Sequence, residues 1–451
     1  MKVHFIAIGG SVMHQLAIAL HHKGYQVTGS DDEIYEPALS NLAKIGILPG
    51  SMGWDASRIH PGLDAVILGM HARADNPELI RARELGLKIY SFPEYIYQES
   101  RQKTRVVVGG SHGKTTTTAM IMHVLQARQQ AFDYLVGARL EGFAQSVRIT
   151  DAPLIVCEGD EYPASVIEKR PKFHFLHPQI AVITGIAWDH INVFPTFDIY
   201  LEQFAIFIRQ MEPGHTLIYN NADETLRALV DAEGDHLKKV PYNLPIHMIR
   251  EGVTRVFFDE GYADLEVFGD HNLLNMHAAK LVCNELGIDD QSFLQSIASF
   301  KGAAKRLELV GKNEHRAVYR DFAHAPSKVT ATIQALKQQY PQRKLIAVLE
   351  LHTYSSLNAG FMEQYKGAME AADIAVVFYS QHALEIKRMP DLEPGQIRQG
   401  FGRNDLQVFN KRAQLEQFLD AQHYNDSNLL MMSSGDYEGM DVNSLKKYLT
   451  A

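Results

Sequence analysis

The sequence predicts an α/β fold of three domains, each organised around a largely parallel sheet, and three features predict it. Short apolar, β-branched runs alternate with helical stretches from end to end, the pattern of strands buried on both faces. A glycine pair, Gly9-Gly10, follows the first such run. A second cluster, Gly109-Gly110 and then Gly113-Lys114-Thr115, follows Val106 to Val108. At 451 residues the chain accommodates about three domains of roughly 150 residues each. The divisions fall at 1–103 for a Rossmann-like N-terminal domain, 104–300 for a central P-loop ATPase domain and 301–451 for a Rossmann-like C-terminal domain.

Composition narrows the function. Forty-four basic residues against 53 acidic ones leave a net charge of −9, which argues against a nucleic-acid partner held by bulk charge. Cys157 and Cys283 both lie in apolar surroundings, so they suit a reducing compartment and supply no disulfide framework. No stretch approaches ~18 consecutive apolar residues, and the opening HFIAI is too short for a signal-peptide core, so membrane insertion is not expected and a cytoplasmic location is.

In the first domain Val3 to Ile8 reads as a strand, Gly9-Gly10-Ser11 as a tight turn, and the following stretch as a helix to about His22. A second strand, Gln26 to Thr28, ends at Ser30-Asp31. An acid about twenty residues past the glycines is where a dinucleotide fold places its ribose-binding carboxylate. GxGxxG is not met, and a tight turn without ligand explains the glycines equally well. Ala65 to Leu68 is a third strand, and Asn76-Pro77-Glu78 starts a helix with proline at its first position.

The central domain opens on VVVGGSHGKTTTT, Val106 to Thr118. Glycines after a buried strand let backbone N–H groups curl around an anion at a helix N-terminus. Lys114 then reaches the β/γ-phosphates and the Thr115 hydroxyl holds Mg²⁺, which makes ATP or a similar triphosphate the expected ligand. The usual motif has glycine where Val108 stands; here Gly109 and Gly110 replace it. Strands recur at Leu154 to Cys157 and Ile180 to Thr184, followed by Glu158-Gly159-Asp160-Glu161 and Trp188-Asp189-His190. Ligands of open parallel sheets sit outside the carboxyl ends of strands, so both clusters are expected beside the phosphate loop, with Glu161 and His190 as Mg²⁺ partners. Further on, Asp270 is the expected N-cap of a helix to about Glu285 that buries Leu274, Ala278 and Val282, and the Asn272 amide is suited to a purine edge. From 301 the strand and helix alternation restarts, near Arg316 to Tyr319, Leu345 to Leu349, Ile374 to Phe378, Leu406 to Phe409 and Leu429 to Met432, with a helix begun by Pro326-Ser327.

Read together, GGSHGKTTT, EGDEYPAS, WDH, GDHNLLNMHAA, FKGAAKRLE and RDFAHAP, in that order, resemble the Mur ligases, the ATP-dependent amide-bond-forming enzymes of bacterial cell-wall synthesis. The N-terminal HFIAIGGSVMHQLAIALHHKGYQVTGSD is similar to the branch that acts directly on UDP-N-acetylmuramate. Within it, DEYPASVIEKRPKF and MMSSGDYEGM are more similar to members that add a recycled murein tripeptide than to those that add L-alanine. The resemblance implies that Lys114, Glu161 and His190 are catalytic and that Gly110, Ser111, His112, Gly113, Lys114, Thr115 and Thr116 hold ATP phosphates. It also implies that His271 and Asn272 contact adenine, Arg306 the phosphates and Asp321 the ribose. Mg²⁺ falls to Thr115, Glu161 and His190; the UDP-sugar to Gly9, Gly10, Ser11, Ser30, Asp31, His71 and His112; and the amine substrate to His324, His352, Thr353 and Ser355.

The chain departs from the family in places. RDFAHAP lacks the first Asp and second His of DDFAHHP, and Glu350 to Asn358 matches neither known amine-facing loop. No lysine stands between Lys172 and Lys238, where several branches carry a carbamylated one, so the metal site turns to other groups, such as Gln203 through water. The implied reaction is two-step acyl transfer: the muramoyl carboxylate attacks the γ-phosphate, and the peptide amine then captures the acyl phosphate, its proton going to solvent or to His352. Alternatives are an L-alanine ligase, a non-catalytic UDP-sugar and ATP-binding regulator, and a GTPase-like switch, whose guanine motif Asn410-Lys411-Arg412-Ala413 lacks the required acid. A monomer or weak homodimer is expected.

Overall fold

The computed structural model describes residues 1–449 apart from 71, 139, 166 and 189–192. The chain forms two compact units, residues 1–243 with 275–296, and residues 244–274 with 297–451.

The first unit carries two sheets, one parallel and one parallel but for its last pair. Its N-terminal sheet runs in the order Gln26–Ser30, Lys2–Ile6, Ala65–Leu68, Ile89–Ser91. The chain steps to one side of the first strand and then to the other, so the crevice at that strand's carboxyl end is a topological switch point. Val3, Phe5, Val27, Ala65 and Ile67 point to one face, where the helix Met13–His22 buries Leu16, Ala17 and Leu20. The expected strand to Ile8 stops at Ile6. Ala7 takes a left-handed φ of 67°, and the N–H groups of Ala7 and Ile8 both donate to the Ser30 carbonyl. The sharp turn therefore falls before the glycines rather than on them.

The central sheet runs in the order Lys238–Tyr242, Thr216–Asn220, Ile180–Ile183, Thr104–Gly109, Leu154–Glu158, Asp133–Leu135, Val147–Arg148, with only the last pair antiparallel. Thr104–Gly109 is again flanked on opposite sides by strands reached in opposite directions, so the glycine loop opens at a second switch point. Helix Lys114–Ala127 follows it, buried along most of its length because it packs inside the unit.

In the second unit, an antiparallel sheet of His247–Arg250, Val253–Phe258 and Gly261–Leu265 was not expected from the sequence. A six-stranded sheet follows in the order Glu308–Lys312, Arg316–Asp321, Ser427–Met432, Lys344–Leu351, Ile374–Tyr379, Gln407–Phe409, antiparallel only at its first pair. The helix Pro326–Gln339 begins at proline as expected. Asp270 is not a cap but the first residue of Asp270–Glu285; Gly269, at φ 88°, makes the turn into it. Ala278 and Val282 are fully buried as expected, whereas Leu274 is half-buried and its neighbour Leu273 is buried in its place.

Below the central sheet, Asp133 is fully buried and takes the Lys103 ammonium, the Thr150 hydroxyl and the Thr150 N–H. Removing one member of such a buried pair strands the other charge. Asp133→Ala is expected to destabilise the protein by about 3–5 kcal/mol, read as a lowered urea midpoint with the Lys103→Met, Asp133→Leu double variant recovering much of the loss.

Candidate active site

At the carboxyl end of Thr104–Gly109 the missing motif glycine is replaced two residues on. Gly109 stays in the strand, and Gly110 takes φ 119° where a Cβ would sit 2.2 Å from the Thr184 hydroxyl oxygen. Gly113, at φ 81°, has the Asn275 side-chain oxygen 2.2 Å from where its Cβ would be. Thr184 donates to the His112 and Gly109 carbonyls, and the Ser111 N–H donates to the Gly185 carbonyl at 2.9 Å. The loop is thereby fastened to the neighbouring strand end, with its last turn feeding the helix at Lys114.

Lys114 Nζ donates to the Gly110 carbonyl at 2.6 Å and to Glu161 Oε2 at 2.7 Å. Both side chains are nearly shut from solvent, at 14% and 1% exposure. Burial pulls the ammonium pKa down, and the Glu161, Asp160 and Glu158 carboxylates more than reverse it, so Lys114 stays charged. The Thr115 hydroxyl donates to Glu158 Oε1 at 2.8 Å, and Glu158 Oε2 accepts the Gly137 N–H at 2.9 Å. Glu158 was not singled out from the sequence. Its signal was the acid closing the apolar strand LIVCE, the place from which P-loop proteins present a carboxylate to the metal held by the loop threonine.

Tyr200 and Ser111 complete the wall. The Tyr200 hydroxyl donates to Glu161 Oε1 at 3.3 Å and lies 2.8 Å from Ser111 Oγ, which accepts the Ala187 N–H. Ser111 and Thr116 are each 5% exposed, so Ser111 serves the loop's own framework and not an open face. The Gln203 amide nitrogen donates to the Ile199 carbonyl; from the same helix it is Tyr200 that reaches the acid. His190 and His71 lie outside the described residues. Among the described residues no three His, Cys, Asp or Glu side chains gather into a metal cage. A hydroxyl beside a carboxylate nevertheless fits Mg²⁺, which takes few protein oxygens and completes its shell with water and phosphate.

Across from this cluster lies the N-terminal glycine turn. Asp31, 3% exposed, accepts the Gly9 N–H at 2.7 Å, an approach that a Cβ on Gly9 would crowd at 2.9 Å. Burial raises the Asp31 carboxyl to about 6, against the opposing pull of the Gly9 N–H. Ser30 departs from its expected role, because its hydroxyl is fully buried and donates to Glu78, which also meets His4 Nε2 at 3.2 Å. Gly10 and Ser11 line a cavity of about 220 Å³ whose opposite wall holds Glu158 and Asp160. His112 is half-buried, its Nδ1 2.8 Å from the Ser111 carbonyl.

The second unit holds the remaining expected residues. Both Asp321 oxygens take backbone N–H groups, of Leu307 and Ala323, each at 2.6 Å, and Arg306 stacks on Phe322 at 4.6 Å. Asn272 is buried, with its amide nitrogen donating to the Phe268 carbonyl at 2.9 Å, and burial lowers the His271 pKa to about 4. Thr353 is turned inward to a hydroxyl and N–H exchange with Ser356, a departure from its expected amine-facing role, while His352 Nδ1 lies 3.9 Å from Glu350. Ser355 is half-buried beside it, and His324 Nδ1 lies 2.8 Å from the Phe322 carbonyl.

A parallel sheet whose switch point carries a phosphate loop, with its lysine and threonine on strand-end carboxylates, defines a P-loop nucleotide-binding protein. Three family models then match in sequence: "Mur ligase family, catalytic domain" at residues 2–104, "Mur ligase middle domain" at 108–283 and "Mur ligase, glutamate ligase domain" at 305–435. The chain belongs to the Mur ligase family, and is an ATP-dependent ligase forming amide bonds in peptidoglycan synthesis. It is 33% identical over 394 residues to UDP-N-acetylmuramate–L-alanine ligase of Limosilactobacillus reuteri, covering 82% of this chain and 83% of that protein. It is 27% identical over 458 residues to UDP-N-acetylmuramate–L-alanyl-γ-D-glutamyl-meso-2,6-diaminoheptandioate ligase of Haemophilus influenzae, covering 99% and 98%. A murein peptide ligase from Psychrobacter arcticus shares the fold at a TM-score of 0.65 and 21% identity, over 100% of this chain and 99% of that one. No helix among the described residues is long and apolar enough to cross a membrane.

Burial raises Asp321 to about 6, against Arg306 and two backbone donors. Between about pH 4 and pH 6 the native state keeps a proton that the unfolded chain has released, so stability falls as pH rises through that window, by about 2–3 kcal/mol. Asp321→Asn is expected to lose that slope, which urea midpoints at pH 4.5 and 6.5 measure.

Proposed function

We propose that the chain joins the lactyl carboxylate of UDP-N-acetylmuramate to the amine of a peptide of the L-alanyl-γ-D-glutamyl-meso-diaminopimelate type, with ATP converted to ADP and phosphate. The observation that carries this is one cavity with the glycine turn at Gly10 on one side and the Thr115-bound Glu158 on the other. A carboxylate oxygen attacks the γ-phosphorus and the bond to ADP breaks. The amine nitrogen then attacks the acyl carbonyl, phosphate leaves, and the ammonium proton passes to solvent. Lys114 stabilises charge on the transferred phosphate, and Glu161, to which the Tyr200 hydroxyl donates, holds its ammonium in place. Thr115 and Glu158, with Glu161 on the resemblance, would hold Mg²⁺, which would supply further neutralisation of the phosphates. Loss of such a donor costs about 10²- to 10³-fold in rate.

On resemblance, the triphosphate is assigned to Gly110, Gly113, Lys114, Thr115 and Arg306, adenine to His271 and Asn272, and the ribose to Asp321. The three-domain division at 103 and 300, a cytoplasmic location and a monomeric or weakly dimeric state complete the reading. Two observations favour a peptide over L-alanine. The match to the Haemophilus peptide ligase runs through 99% of this chain, whereas those to the alanine ligases of Limosilactobacillus and Sulfurihydrogenibium run through 82% and 91%. In the second unit, the carboxyl ends of Ile374–Tyr379 and Gln407–Phe409 open a cleft of about 200 Å³ bearing Asp391, Glu393 and Asn410, suited to a second ammonium group that L-alanine lacks. The higher identity to the alanine ligase, 33% against 27%, favours the second reading, a UDP-N-acetylmuramate–L-alanine ligase.

Phosphate release with UDP-N-acetylmuramate and ATP, read with each amine and followed by product mass, separates the readings. The tripeptide is expected to stimulate release and L-alanine not; the reverse selects the alanine ligase, and release by neither selects a non-catalytic binder. Lys114→Ala should lower turnover by at least about 10²-fold while leaving UDP-N-acetylmuramate affinity within about twofold.

A further inference from the structure

The cavity between the glycine turn and the central strand ends has two acids on its wall, Glu158 and Asp160, and one cation among its described lining residues, Lys172. The rest of the lining used here is apolar: Met13, Phe92 and Leu135. Lys172 is fourteen residues past the strand that carries Glu158 and is brought back by a clasped loop. Its own N–H donates to the Tyr162 carbonyl at 2.9 Å, the Phe173 N–H to the Asp160 carbonyl at 3.1 Å, and Pro163 pairs with Pro171 across the loop. Its Nζ meets Asp160 Oδ2 at 2.6 Å, with both side chains partly open, at 26% and 35% exposure.

An ion pair that open contributes little to stability, so folding alone gives weak reason to return a lysine to this wall. The wall gives a stronger one. An acid substrate that approaches Glu158 and Asp160 meets like charge, and it binds only where fixed cations offset that repulsion. Lys114 is committed to Glu161 and the Gly110 carbonyl. Lys172 is placed for the remaining task.

We infer that Lys172 binds the lactyl carboxylate of the UDP-sugar, exchanging Asp160 for the substrate, and so selects a UDP-sugar that carries an acid over one that does not. The inference rests on the UDP-N-acetylmuramate reading above and assigns a substrate contact within it. Before the substrate arrives, Asp160 holds the ammonium at the wall.

The test compares UDP-N-acetylmuramate with UDP-N-acetylglucosamine, which has the same nucleotide and sugar but no lactyl acid, by calorimetric titration of wild type, Lys172→Met and Lys172→Arg. In Lys172→Met the affinity for UDP-N-acetylmuramate should fall about 10- to 100-fold, the worth of a hydrogen bond to a charged group. Affinity for UDP-N-acetylglucosamine and the KM for ATP should stay within about twofold, and Lys172→Arg should recover most of the loss. An equal fall for both sugars assigns Lys172 to the diphosphate and overturns the inference, as does no change for either. Should Lys172→Met fail to fold, Lys172→Gln takes its place in the same comparison. If wild type binds UDP-N-acetylglucosamine as tightly as UDP-N-acetylmuramate, or binds neither, the sugar-acid reading falls and the inference with it.

Discussion

One ammonium among carboxylates at the mouth of a parallel sheet is the constraint from which the central site follows. Lys114 and Glu161 are both withdrawn from water, and each is tolerable there only because the other is present. Holding the pair requires a loop that cannot drift. Gly110 and Gly113 supply backbone angles closed to other residues, and Thr184 and Asn275 fill the space where their side chains would have been. Tyr200 adds a hydroxyl to the same acid from a helix on the far side of the site. The result is a fixed array of partial and full charges, the kind of environment in which two anions can be brought together without paying for reorganisation at each turnover.

The N-terminal sheet solves a related problem with backbone alone. Asp31 stays close to the glycine turn because Gly9 lets its N–H approach within 2.7 Å, and the turn is pinned by two N–H groups on the Ser30 carbonyl. Behind it, Ser30, His4 and Glu78 form a buried polar set that joins two strands to the helix Pro77–Glu84. Glu78 accepts the Asp55 N–H at 2.9 Å as well, so the loop that covers this face is tied to the same acid. Ser30 is thus a framework residue whose neighbour, Asp31, faces the turn.

Much of this was legible in the sequence because central parallel strands are apolar on both faces and stop at glycine or acid. Val106 to Val108, Ala65 to Leu68 and Leu154 to Cys157 were readable for that reason, as was the meeting of Lys114 with the segment that contains Glu161. Glu158 was not, since an acid at the last position of a strand looks the same whether it faces solvent or a threonine hydroxyl. The three short antiparallel strands between His247 and Leu265 escaped because Ile246, Met248 and Tyr262 are exposed, which blurs the alternation that marks a half-buried sheet. The left-handed turn at Ala7 had no signal either, because it is imposed by the Ser30 carbonyl, distant in sequence.

The loop Glu350 to Asn358, proposed above to face the amine, is determined largely by its own contacts and those of its neighbours. Glu350 is 1% exposed, and burial raises its carboxyl despite the Ser433 hydroxyl and the Tyr437 N–H that bind it. Gly435 passes so close that a Cβ there would lie 2.8 Å from both Glu350 Oε2 and His352 Nδ1. Thr353 and Ser356 close the next turn on themselves, and Asn358 caps the one after by accepting the Gly360 N–H. With those side chains occupied, His352, at 37% side-chain exposure, and Tyr354, at 61%, remain available to a substrate. A small amino acid needs little from such a surface. On the peptide reading proposed above, the further amide groups and second ammonium of an extended peptide would find an imidazole and a phenol here and the acids of the cleft at Asp391 and Glu393, at the same sheet's carboxyl edge.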